Sequence, residues 1–173
     1  ILGIVGLSLI AIMVLGGIFL GDSGSSNAQE YNGFRFIPHP QGQGWITSLA
    51  NTQVLFQYLP SDVESISAEP FSLGQKVYVG FDPQEFPETS TEIQLVKAYL
   101  QLSGRSAPLA CVRSDGCGDF PLLRSDDECV VLRSSSEAKI YKEDQCVVLQ
   151  ASGDFTQVIH AFVFRLFGVI NHA

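Results

Sequence analysis

The sequence predicts a mixed α/β fold, one small mixed-sheet domain with helices, preceded by an N-terminal apolar helix. Three observations carry that expectation. Residues Ile1 to Leu20 contain no charged side chain. Lys76 to Val112 reads as strand, helix, strand, the order of a βαβ crossover. Short β-rich runs bounded by Gly, Pro and Asn surround it, and an amphipathic helix closes the chain.

Twenty apolar residues at 1.5 Å rise cover about 30 Å, the thickness of a bilayer's hydrocarbon core. Residues 1–20 therefore predict a transmembrane signal-anchor helix. The alternative is a cleavable signal peptide, with Ser26-Asn27-Ala28 as a small-x-small cleavage site. Against it, an h-region normally runs about 7–15 residues, and no basic n-region is visible. Either reading places the remainder across the cell membrane, outside the cytoplasm. No Lys or Arg occurs between Leu20 and Arg35 to hold the C-terminal flank inside.

Gly21 to Glu30 is small and polar and reads as a flexible linker, so the domain is expected over residues 31–173. Phe34-Phe36-Ile37, Trp45 to Leu49 and Val54 to Tyr58 form a β-meander turning at Gln41 to Gly44 and at Asn51-Thr52. Pro60-Ser61-Asp62 caps a helical turn over Val63 and Ile66. Lys76 to Phe81 is a strand closed by Asp82-Pro83. Thr89-Ser90-Thr91-Glu92 then matches a capping box, Ile93, Val96, Tyr99 and Leu100 follow at helical spacing, and Gly104 stands at C′. Pro108 to Val112 is the second strand, parallel to the first in a crossover.

Cys129 to Arg133 and Ala138 to Tyr141 read as a β-hairpin around Ser134-Ser135-Ser136, and Cys146 to Gln150 as a further strand. The closing helix runs from an Asp154 cap to about Gly168. Its buried stripe is Phe155, Val158, Ile159, Phe162, Val163 and Leu166, with His160 on the polar side. Phe164, opposite the stripe, is expected to pack under the meander, the alternative being a solvent-facing interaction patch.

The run from Lys76 through Cys111, Cys117-Gly118-Asp119, Cys129, Ile140-Tyr141, Gln145-Cys146 and Leu166 to Val169 resembles uncharacterised single-span, membrane-anchored proteins of small-genome archaea. Tyr31 to Phe34 and Tyr58-Leu59-Pro60 are similar to the front of that group. The resemblance implies an exported protein with paired cysteines and no established activity. Where the group's last helix often carries an Asp-Arg pair, this chain has His160-Ala161, so nothing resting on that pair carries over.

The four cysteines lie between positions 111 and 146, an even, clustered set that reads as disulfides in an exported domain. A turn-rich loop joins Cys111 and Cys117, and Cys129 and Cys146 each open a Cys-Val-Val-Leu run suited to neighbouring strands. The expected pairing is Cys111–Cys117 with Cys129–Cys146, one of three possible. Metal or redox use is the alternative, though the Cys-x2–4-Cys pairs of zinc sites and the Cys-x-x-Cys of redox sites are absent.

A βαβ unit presents ligands to the carboxyl ends of its strands, which selects Asp82, Arg113, Asp115 and Asp119 as candidate binding residues. The plainer reading is that Asp-Pro, Asp-Gly and Gly-Asp are turn chemistry. Asp115, Asp119, Asp126, Asp127 and Glu128 could offer oxygens to Ca²⁺, but without the alternation of an EF-hand loop they read as a solvated acidic face. The remaining histidines are His39, between two prolines, and His172, near the end of the chain. No catalytic residues, metal or cofactor are called for, because neither a Gly-x-Ser-x-Gly elbow nor His-Glu-x-x-His occurs.

The net charge of −8 speaks against nucleic acid or anionic lipid as partner. The expected partners are the membrane, through residues 1–20, and another envelope or surface protein. Function is expected to be binding at the cell surface. The alternative is an exported enzyme with acid/base or hydrolytic chemistry around Asp82 and Asp115.

Overall fold

The computed structural model describes residues 27–171. The expected membrane helix at residues 1–20, and His172, lie outside the described residues. Among those described, no helix is long and apolar enough to cross a membrane.

The chain builds two sheets with a helix between them. The first contains β1 (Gln29–Tyr31), β2 (Phe34–Pro38), β3 (Trp45–Leu49) and β4 (Thr52–Phe56), each antiparallel to the next in chain order. The meander is as expected, with one strand added. Gln29 and Glu30, assigned to the linker above, pair with Phe36 and Arg35. The cause is Asn32-Gly33, whose φ values of 47° and 81° allow a tight primed turn that folds β1 back onto β2.

After α1 (Pro60–Val63), the chain lays down β5 (Ser67–Ala68), β6 (Tyr78–Phe81), α2 (Thr91–Leu102), β7 (Leu109–Cys111), β8 (Cys129–Ser134), β9 (Lys139–Glu143) and β10 (Cys146–Ala151). The second sheet has six strands in the order β5-β9-β10-β8-β6-β7. β6 and β7 are parallel, as the crossover requires. Ser90, rather than Thr89, caps α2, its hydroxyl accepting from the Ile93 N–H at 3.4 Å. Gly104, at φ +82°, ends the helix from the expected C′ position.

The hairpin expected between Cys129–Arg133 and Ala138–Tyr141 is corrected. β10 lies between β8 and β9, parallel to β8 and antiparallel to β9. The physical reason is burial. The first four residues of β8 and the Val147–Leu149 stretch of β10 are buried on both faces, so both strands need neighbours on each side. β9, with Ile140 alone of its five residues fully buried, lies between β10 and the two-residue β5, and reaches β10 through a tight turn with Asp144 at φ +54°.

The closing helix α3 (Thr156–Leu166) starts after Asp154, whose carboxylate accepts from the Thr156 N–H at 2.8 Å. It rests against β9 and β10 on one side. On the other, Phe164 meets Phe36 and Phe56 of the meander at ring distances of 5.8 and 4.6 Å. The stripe from Phe155 to Val163 is buried as expected, with Leu166 half-buried. The assignment of His160 to a polar, outward side is corrected: the residue is 3% exposed, because the meander covers that side of the helix.

Candidate functional site

Alternation along the strands of the second sheet decides what each face carries. Val79, Val130, Leu132, Val147 and Leu149 point into the main core. On the reverse face Cys129, Val131 and Val148 form a separate apolar cluster, flanked by Tyr78, Leu123, Tyr141 and Cys146. Among the described residues no helix covers this second cluster. A loop through Leu123 covers it in part, tied down where the Leu123 N–H donates to the Cys111 carbonyl at 2.9 Å. Gly80 permits that approach, since a Cβ there would lie 2.6 Å from Val131 Cγ1 and 2.7 Å from Leu123 Cδ1.

Both cysteine pairs are disulfides, Cys111–Cys117 and Cys129–Cys146, as expected. The second joins neighbouring parallel strands at directly opposed positions and forms part of the reverse-face cluster. The first closes the loop that follows β7.

Beside Leu123 an open cleft of about 400 Å³ crosses the reverse face. Val131 and Leu123 give it apolar walls, while Arg124, Arg133, Glu143 and Glu85 bring charge to it. Arg133 is held by Glu143 at 2.6 Å and by the Tyr141 hydroxyl at 2.8 Å. Hydrogen bonding to Glu143 raises the Arg133 pKa above its ordinary value, so this cation is fixed in charge and in place. Glu85 reaches across the cleft from the β6 side to accept from the Ser134 N–H at 3.1 Å.

Three of the four residues selected from the sequence meet at the carboxyl ends of β6 and β7. Arg113 lies 3.6 Å from Asp82 and 3.3 Å from Asp115, and Gln84 donates to Asp115 at 3.2 Å. Asp119 is exposed, and no hydrogen bond or ion pair joins it to them among the described residues. The side chains of Asp82, Arg113 and Asp115 are 18%, 45% and 60% exposed. Asp82 also accepts from the Gln84 N–H at 2.9 Å, the turn chemistry of an Asx motif. Only Asp82 of the four lines the cleft.

Of the acidic residues weighed for Ca²⁺, Asp127 and Glu128 are occupied locally. Asp127 accepts from the Arg124 N–H at 2.9 Å, and Glu128 from the Gly74 N–H at 2.7 Å. No group of three or more His, Cys, Asp or Glu among the described residues is placed to hold a metal ion.

Glu85, Arg133, Tyr141 and Glu143 were not singled out from the sequence. Arg133 and Glu143 sit on the same face as Cys129 and Cys146 by strict alternation, and that was the available signal. Using it requires knowing that β10 divides β8 from β9. Against known protein families, curated proteins and solved structures, the chain shows no match.

Proposed function

We propose that this chain is a membrane-anchored binding module, held by residues 1–20 with its disulfide-bonded domain outside the cytoplasm. The open face of its second sheet takes another envelope or surface protein. The observation that carries this reading is the cleft: apolar walls, no helix over it among the described residues, and a charged rim in which Arg133 and Glu143 hold one another. Such a centre and rim are what a specific interface uses. The two disulfides agree with an oxidising compartment. Acid/base catalysis is served by a carboxylate set apart from cations in a dry cleft. Asp82 and Asp115 instead share Arg113, and Asp115 faces water, which favours binding over the enzyme reading.

The test uses the full chain in its membrane. Carbonate washing should leave it in the pellet, and protease added to intact cells should remove the domain. A photo-crosslinking residue at Gln145, on the cleft, should capture a discrete partner band that the same probe at exposed Gln101 on α2 does not. Release by carbonate, protection from external protease, or identical products from the two probes would each overturn part of the proposal.

A further inference from the structure

The charged residues are unevenly placed. The chain has 10 Lys and Arg and 18 Asp and Glu, yet the 26 residues from Phe36 to Ser61 contain none. At the chain's charged content of 16%, about four would fall in a run of that length. This run contains nearly the whole meander, including both turns that follow β2 and β3.

The outer surface of the meander shows what the run does. Ile37 is opposite Ile46, and Ile46 is opposite Leu55, so three apolar side chains form one row across β2, β3 and β4. The row points away from α3, because its neighbours Phe36 and Phe56 are the residues that pack against Phe164. Ile37 is 40% exposed and Leu55 49%. Beside the row on the same face stand Ser48, Gln53 and Arg35, and Arg35 is opposite Glu30 of β1. Apart from that one cross-strand pair, nothing charged would have to be stripped of water if this face met an apolar layer.

Chain connectivity limits what that layer is. Eight residues, 21–28, separate the expected membrane helix from β1. As a small, polar link they reach about 15 Å. Three strand spacings from β1 to β4 cover about 14 Å. The row therefore lies within about 14 Å of β1, and the link holds β1 within about 15 Å of the point where the chain would leave the bilayer.

We infer that the outer face of the meander rests on the lipid–water interface, seated by Ile37, Ile46 and Leu55. This inference rests on the anchor reading above. A neutral, zwitterionic bilayer suits it: the face, on which Arg35 and Glu30 offset one another, meets the headgroups, and the domain's net negative charge turns the remainder toward water. The cleft on the second sheet is then held in a fixed orientation to the membrane, available to a partner.

The experiment reconstitutes the full chain at one copy per phosphatidylcholine nanodisc. The native cysteines stay paired, and a nitroxide label is attached through Leu55→Cys or, as reference, Ser125→Cys beside the cleft. Collisions with oxygen, which concentrates in lipid, and with a water-soluble nickel chelate are measured for each. The expected result is severalfold more oxygen and severalfold less nickel at position 55 than at 125. Equal nickel access at both positions, with the chain still resistant to carbonate, overturns the docking and leaves the anchor standing. Release by carbonate overturns the anchor itself. Shielding from nickel without oxygen enrichment means that protein covers the row, which also overturns the inference. In a second variant, Ile37→Glu with the label at Gln53→Cys, nickel access should rise relative to the same label beside Ile37, while the far-ultraviolet circular dichroism stays unchanged.

Discussion

Helix α3 has two sides, and both are buried, but by different means. The side away from the meander carries Phe155, Val158, Ile159, Phe162 and Val163, all hydrocarbon, with Phe162 stacked on Phe71 at 5.3 Å and Phe155 against Phe86 at 4.8 Å. The side under the meander carries His160, Phe164 and Arg165. There the imidazole packs on Phe56 at 4.9 Å and Tyr58 at 5.9 Å, and its Nδ1 has no hydrogen-bond partner among the described residues. Arg165 donates to the Glu64 and Ile66 carbonyls at 3.2 and 3.0 Å, joining α3 to the end of α1. Tyr31, from β1, hydrogen-bonds the Glu64 carboxylate at the same junction. One side is sealed by shape alone. The other has to satisfy or suppress polar groups as it closes.

The sharpest way to break this comparison is to damage the hydrocarbon side. Phe162→Ala should cost about 3–5 kcal/mol, the usual range for a buried phenylalanine. Against a domain stability of about 5–15 kcal/mol, denaturant melting should show a protein close to unfolding. A loss under about 1 kcal/mol would mean that the site collapses around the smaller side chain, and that shape matters less there than supposed.

The meander side should reveal itself through pH. Burial lowers the His160 pKa from 6.5 to about 4, partly opposed by the charge of Asp154. The fold therefore favours the neutral ring. Its stabilisation is complete above pH 6.5 and is lost as the pH falls from 6.5 toward 4, in all about 3 kcal/mol at 1.36 kcal/mol per unit. Hydrogen bonds from the Thr156 hydroxyl and N–H lower the Asp154 pKa, which adds a loss of the same sign at lower pH. Melting at pH 7 and pH 4.5 should show His160→Leu less sensitive to acid than the parent protein. Equal sensitivity would place the acid response elsewhere.

Arg165→Met is the smaller test. It fills similar space with hydrocarbon and leaves the Glu64 and Ile66 carbonyls short of a donor, for an expected cost of about 1–3 kcal/mol. Faster amide exchange should follow around α1. An unchanged melting curve would show that the meander side, too, is sealed by packing alone.

Much of this was legible before the fold was known, for reasons that are local. A capped helix between two β-rich runs gives a parallel crossover whatever surrounds it, and β6, α2 and β7 follow. The loop between Cys111 and Cys117 is short and rich in turn residues, and the matched Cys-Val-Val-Leu runs suit neighbouring strands, so both disulfides could be expected. Proximity of strand ends likewise brought Asp82, Arg113 and Asp115 together.

Strand order and helix surroundings were decided only in three dimensions. Nothing near β8 or β9 says that β10 will come between them, because that placement is set by how many neighbours each strand needs. The cleft residues Arg133 and Glu143 become partners only through that insertion, which is why the sequence pointed to the strand ends instead. A hydrophobic stripe likewise reports one buried side of a helix and is silent about the other. His160 reads as solvent-facing because its polarity suits water, and the meander, arriving from the start of the chain, buried it together with Arg165. Local chemistry determined the elements and the cross-links, while long-range burial decided which polar groups lost their water.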